Sequence, residues 1–198
     1  MLILLYYVHM NILIVTAHPS PAGDTHTIAR TYAEAKRAQN HVVEIVDLYA
    51  DEYKVDLLKF TNIREFVPSK VQLKFQEQVL WANEIVVVHP IWWGTPPSIM
   101  KSWTELTFWP RVTYRYTGPG KVQKLLTGKT AKIFATAGGP SWYHYFLFMP
   151  LTSFWKIVVF GFSGVDVVDV KICGYLDVYT DEKRTKHLEK FMKRIKNS

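Results

Sequence analysis

Three short stretches of this chain hold side chains that could do chemistry, and each follows a run of strand character. The first is Ala17-His18-Pro19-Ser20-Pro21-Ala22-Gly23-Asp24-Thr25, which opens into a helical pattern. A helix N-terminus offers free N–H groups and the positive end of a dipole, so it suits a phosphate. Thr25, Thr27 and Ser20 could add hydroxyl donors, whereas Asp24 is adverse to an anion unless it points away and caps the helix. The second stretch, His89-Pro90-Ile91-Trp92-Trp93-Gly94-Thr95-Pro96-Pro97, sets two adjacent indoles in a proline-stiffened loop. Such a loop is either a rigid wall for a flat aromatic ligand or a hydrophobic plug over the end of a sheet. The third is Thr136-Ala137-Gly138-Gly139-Pro140-Ser141-Trp142-Tyr143-His144-Tyr145. Paired glycines let a backbone come close to a ligand plane. Tyr143 and His144 could then give or take a proton beside it.

The elements that must position these loops can be read from periodicity. Strand character marks Asn11–Ala17, His41–Leu48, Glu84–His89, Lys129–Thr136 and Val165–Ile172. Helical spacing marks Thr25–Gln39, Ser69–Asn83, Ser98–Phe108, Leu147–Phe160 and Asp181–Lys196. In the second helix Ser69 is the expected N-cap, and Val71, Phe75, Val79 and Leu80 are expected to face inward. Asp51–Pro68 and Pro110–Leu126 read as irregular connections. Strands that alternate with helices call for right-handed crossovers and a parallel sheet. The expected fold is therefore α/β, a flavodoxin-like three-layer sandwich whose five-stranded parallel sheet has the order 2-1-3-4-5. The binding crevice of such a sheet lies beyond the carboxyl ends of its strands, here above the first, third and fourth.

Composition limits the remaining classes. The chain has 198 residues, 48% hydrophobic and 21% charged, which fits one folded domain and excludes disorder. A single cysteine, Cys173, leaves no intrachain disulfide and no multi-cysteine metal site, so no metal is expected and a reducing, cytoplasmic setting is. The apolar start at residues 1–9 is too short to span a bilayer. It reads as an N-terminal extension to a single domain over 10–198, or as an added interface strand. Phe146–Phe162 is apolar but broken by Pro150, Ser153 and Lys156, and reads as a buried helix. The net charge of +7 favours anionic ligands. Much of the excess lies on the last helix without interleaved aromatics, which argues for a solvated face and against a nucleic-acid platform. Neither G-x-G-x-x-G nor a Walker motif is present, so a Rossmann dinucleotide site or a P-loop ATPase is not expected.

Several pieces together resemble the flavodoxin-like NAD(P)H:quinone oxidoreductases, the family of the mammalian DT-diaphorases and bacterial quinone reductases. They are Ile12–Pro19, Val46-Asp47-Leu48-Tyr49, the Pro-x-Trp-Trp-x-x-x-Pro-x-x-x-Lys-x-Trp pattern over Pro90–Trp103, Tyr114-Arg115-Tyr116, and Thr136–Tyr143. The resemblance implies a bound flavin in a homodimer with the site at the subunit interface. It implies that NAD(P)H reduces the flavin and that a quinone or another small aromatic acceptor is then reduced by two electrons, in ping-pong order. Carried over by position, His18, Ser20 and Thr25 would hold phosphate. Pro90, Ile91, Trp92, Trp93 and Gly94 would line the ring, with N–H groups from Trp92 to Gly94 stabilising its charge. Thr136, Ala137, Gly138 and Gly139 would contact its pyrimidine side, and Tyr143 and His144 would face the hydride-exchange pocket.

The chain also departs from the pattern. Gly23-Asp24-Thr25 stands where the family commonly has Ser-Phe-Asn, which removes a hydroxyl and an amide. Leu106 replaces a usual basic residue, and Ser98 and Ser102 a usual Ala and Gly. A loop poor in hydroxyls and carrying Asp24 suits the near-dianion of FMN badly, so FAD is the expected cofactor, with FMN the alternative. Two other readings share the flavin. One is an azo or nitro reductase; the other is a soluble regulatory subunit of a membrane potassium-efflux system, docked through the basic helix or the apolar start as a peripheral membrane partner.

Overall fold

The run Ile12-Leu13-Ile14-Val15 is apolar on both faces, and it forms a strand covered on both faces, β1 (Asn11–Thr16). The structure, a computed structural model, describes residues 9–53, 55–146 and 150–198. The expected extension at residues 1–9 therefore lies almost wholly outside the described residues. β3 (Glu84–Pro90) is buried along its whole length, and β6 (Thr130–Thr136) nearly so. The edge strands β2 (Val42–Asp47) and β7 (Asp166–Cys173) mix buried and accessible positions, as strands with one open side do. All pairings are parallel, in the order β2-β1-β3-β6-β7. The five strands thus have the expected 2-1-3-4-5 arrangement, in register through Val15, Val87 and Ile133.

Two helical layers cover the sheet. α1 (Asp24–Arg37) and α7 (Asp181–Lys196) close one face, where Ile28, Tyr32 and Phe191 meet Ile12, Val86 and Phe134. On the other face, α2 (Lys70–Trp81) and α3 (Ser98–Thr107) bring Phe75, Val79 and Trp103 against Leu13, Val87 and Ile133. Ser69 caps α2 as expected, its hydroxyl accepting from the Gln72 N–H at 3.1 Å.

Four expectations need correction. Pro110–Leu126 is not irregular throughout: β4 (Tyr114–Gly118) and β5 (Lys121–Lys124) form an antiparallel hairpin. Gly120 takes a positive φ in its turn, and Tyr114 packs on Phe162. Leu80 does not face inward; it is largely exposed, because Phe75 and Val79 sit one turn apart on the buried side and Leu80 falls past it. The helix expected over Leu147–Phe160 differs in its described part: α5 (Pro150–Ser153), a π-helical turn over Phe154–Val159 and α6 (Phe160–Ser163) carry it past Phe160, and a separate element, α4 (Ser141–Phe146), stands before it. Residues 147–149 lie outside the described residues. Nor is this segment buried throughout. Trp155 and Phe160 are, but Ile157, Val158 and Phe162 reach solvent, since no layer among the described residues lies over the outer side of the helix.

Candidate functional site

The loops after β1, β3 and β6 meet at the carboxyl edge of the sheet around a cavity of about 360 Å³. His18, Ser20 and Thr25 line it from the first loop, Pro90, Ile91 and Trp92 from the second, and Thr136, Ala137 and Gly138 from the third. A second, apolar cavity of about 460 Å³ lies across the Trp92 indole, walled by Trp93, Pro96, Pro97 and Phe154. Trp93 thus borders the neighbouring space. Gly94 and Gly139 stand off both cavity walls. Tyr143 and His144 sit half-buried on α4 outside both linings.

In the first loop, the His18 ring folds back so that its Nδ1 lies 3.1 Å from both the amide nitrogen and the carbonyl oxygen of Ser20. His26, on the first turn of α1, donates from Nε2 to the His18 carbonyl at 3.0 Å. A Cβ on Gly23 would come within 2.5 Å of His18 Nδ1. The imidazole therefore fills the space in which a serine side chain at that position would begin. The N–H groups of Asp24 and Thr25 open α1 without a protein acceptor among the described residues, and no side chain caps the helix. The buried Thr25 hydroxyl lies 3.4 Å from that of Thr136, tying the first loop to the third.

The tryptophan loop is a tight turn. The Trp92 N–H donates to the Thr95 carbonyl, and the Thr95 N–H to the Trp92 carbonyl, both at 3.0 Å. Between them Trp93 and Gly94 both take positive φ, 51° and 78°. Glycine tolerates that conformation; tryptophan is strained by about 1–2 kcal/mol, and its indole here is fully exposed. The Ile91 N–H donates to the Thr136 carbonyl at 2.7 Å, joining second and third loops. The expectation that N–H groups from Trp92 to Gly94 are all available is corrected accordingly. Trp92 spends its own on Thr95, and those of Trp93 and Gly94 remain open among the described residues.

Three wall residues were missed from the sequence: Leu176, Asp177 and Arg184. They follow β7, whose carboxyl end lies on the same edge. That placement was the available signal, but the basic run on α7 masked Arg184 as one more solvated charge. Arg184 places Nη2 2.6 Å and Nε 3.2 Å from Asp24 Oδ2. This ion pair removes the objection that Asp24 raised against an FMN phosphate, because a guanidinium balances its charge in place. Asp177 faces Gly138, where a Cβ would come within 2.1 Å of its Oδ2, so any side chain at 138 would displace this wall.

The donor set suits a phosphorylated ring. Hydroxyls, an imidazole, open first-turn N–H groups and a guanidinium line the cavity together with the Trp92 indole, whose ring lies 6.3 Å from that of His18. The family described by a flavodoxin-like fold matches residues 10–197. The chain belongs to that family. The FMN-dependent NADH:quinone oxidoreductase 2 of Clostridium acetobutylicum is 25% identical over 180 residues, covering 87% of this chain and 90% of that one. A ribosyldihydronicotinamide dehydrogenase-like protein of Penicillium crustosum is 28% identical over 159 residues, 66% of this chain, and the match spans 58% of that relative's length. Among solved structures, a Streptococcus mutans protein superposes with a TM-score of 0.79 at 25% identity, over 96% of this chain and all of that one.

Proposed function

We propose that this protein is a flavin-dependent NAD(P)H:quinone oxidoreductase and that its flavin is FMN. The observation that carries the reading is the junction of a polar, anion-suited cavity with an indole-walled apolar one across Trp92. A bound flavin would supply the redox chemistry, taking hydride from NAD(P)H and passing two electrons to a quinone. The protein's part is placement and polarity. His18, Ser20 and Thr25, with the open N–H groups of α1, would hold the phosphate, and Arg184 keeps Asp24 from repelling it. The Pro90–Trp92 backbone and Thr136–Gly138 would face the ring from two sides. The open N–H groups of Trp93 and Gly94 would stabilise negative charge at its edge. Gly139 would let the chain pass close to the ring, and Tyr143 and His144 would offer protons to the acceptor oxygen. Burial lowers the His144 pKa, so its imidazole is neutral near pH 7 and would act as a neutral donor or acceptor.

A homodimer belongs to this reading. The exposed Trp93 indole, with Ile157, Val158 and Phe162 on the uncovered helix, is the apolar surface a second copy would cover. The test is titration of the purified chain with FMN, followed by NADH and a quinone without oxygen. The expected outcome is a yellow protein that bleaches with NADH and recovers with the quinone, at the mass of a dimer by light scattering. A protein that takes up neither FMN nor FAD refutes the reading.

A further inference from the structure

Beneath the tryptophan loop runs a buried hydrogen-bond chain that no step above uses. His89, one residue before the end of β3, has no exposed surface. Its Nδ1 lies 2.9 Å from the Pro90 carbonyl oxygen, and its Nε2 lies 3.0 Å from Trp155 Nε1. A carbonyl only accepts and an indole N–H only donates. The imidazole must therefore carry its proton on Nδ1 and present a bare Nε2 to the indole. A second proton would set N–H against N–H, and burial already pushes the His89 pKa down to about 4.

The chain links two parts of the molecule. Trp155 belongs to the π-helical turn and is stacked on Phe160 with ring centroids 5.2 Å apart. π-turns inside helices recur at functional sites. At the other end, the Pro90–Ile91 peptide is held twice. Its carbonyl accepts from His89, and its N–H donates to Thr136 at 2.7 Å. Pro90, Ile91 and Thr136 all line the 360 Å³ cavity. A histidine kept only to fill the core would need neither this fixed tautomer nor a bond to a cavity-wall carbonyl.

We propose that His89 is a positioning residue, which transmits the fixed indole of Trp155 to the Pro90–Ile91 peptide and sets the cavity wall before any ligand arrives. Only its ligand readout rests on the flavin reading. The variants are Trp155→Phe, which keeps a ring and loses the donor, His89→Phe, which loses both bonds, and His89→Gln. The Gln carboxamide can donate to Pro90 and accept from Trp155.

Amide exchange of Ile91 is measured in each without ligand, against Val87 in the middle of the same strand. Ile91 should exchange about tenfold faster in Trp155→Phe and His89→Phe, with Val87 unchanged and His89→Gln close to wild type. FMN affinity should fall about tenfold in the same two variants, and the visible band of the bound flavin should shift. Imidazole 15N signals of the wild type should show the Nδ1–H tautomer at pH 7. Should His89→Phe fail to fold, Trp155→Phe carries the test. An Nε2–H tautomer, or Ile91 exchange that Trp155→Phe leaves unchanged, overturns the proposal. A wild type that binds no flavin while Ile91 responds as stated refutes the flavin reading and leaves the positioning role standing.

Discussion

The two ends of the sheet handle polarity in opposite ways. At the amino end, Lys132 Nζ lies 2.7 Å from Glu84 Oε2, and the Tyr32 hydroxyl donates to Glu84 Oε1 at 2.6 Å. Lys132 also donates to the Tyr32 oxygen at 2.8 Å, so the three buried groups close a triangle. At the carboxyl end, Trp93 and Gly94 leave N–H groups open, a strained indole stands in solvent, and the Asp24–Arg184 pair rims a cavity. Both ends are rich in charge and aromatic rings, so residue type does not tell them apart. Completion does: groups that satisfy one another hold the fold, while groups left open on a rigid frame await something else.

The largest effects should separate the two ends. Glu84→Ala removes one corner of the buried triangle and leaves Lys132 without its partner. It should destabilise the fold by about 3–5 kcal/mol, read as a fall in the urea midpoint, with FMN affinity of the still-folded protein unchanged. Arg184→Ala should do the reverse. Its pair with Asp24 is partly exposed, so stability should change by about 1 kcal/mol or less, while FMN binding weakens. Equal losses of stability in the two variants would erase the contrast.

Acid and alkali should then load different buried groups. The His89 pKa is lowered to about 4, so between the unfolded value of 6.5 and that value the unfolded chain binds the extra proton. Its contribution is fully present above pH 6.5 and is lost as pH falls towards 4, about 3 kcal/mol over that window. The Tyr32 hydroxyl is raised above its ordinary 10 by burial and by Glu84 beside it. The unfolded chain releases that proton first, so stability falls as pH rises past 10. Unfolding midpoints from pH 4 to pH 11 check both slopes. Tyr32→Phe should make the alkaline slope shallower, leaving the part that the raised Cys173 thiol contributes, keep the acid slope, and cost about 1–2 kcal/mol at neutral pH.

Legibility followed the same divide between local and distant information. The central strands were readable because Ile12–Val15, Glu84–Val88 and Lys129–Thr136 are runs of the right length and type. The three loops were readable because each follows such a strand directly. The Tyr114–Lys124 hairpin was missed although Gly118-Pro119-Gly120 marks its turn, since Gly, Pro and Tyr crowd the whole stretch and blur the alternation of its short strands. The pairing of Arg184 with Asp24 was not readable, although its place after β7 was. Its partner is 160 residues away, and only the packing of α7 beside α1 brings Asp24 to it. Nor could periodicity show the π-turn that aims Trp155 at His89, because one added residue per turn looks like noise in a helical pattern.

The smallest expected effect is none at all, and it bears on the carboxyl end. Cys173 closes β7 directly under the third loop, where its carbonyl accepts from the Ala137 N–H at 2.9 Å. Burial, reinforced by Asp24, pushes its thiol up to about 12. At pH 8 the thiolate needed for alkylation is about one part in ten thousand, and the buried sulfur is closed to reagent. Iodoacetamide should therefore leave the folded protein unlabelled and react only when this edge opens. The labelling rate then measures the opening free energy of the carboxyl end, and amide exchange at Ile85 measures that of the amino end. The open end should yield first, at a lower free energy, and FMN should slow labelling while leaving Ile85 exchange nearly unchanged. Labelling that tracks global unfolding would mean the two ends share one cooperative unit, and the contrast between them would be chemical without being dynamic.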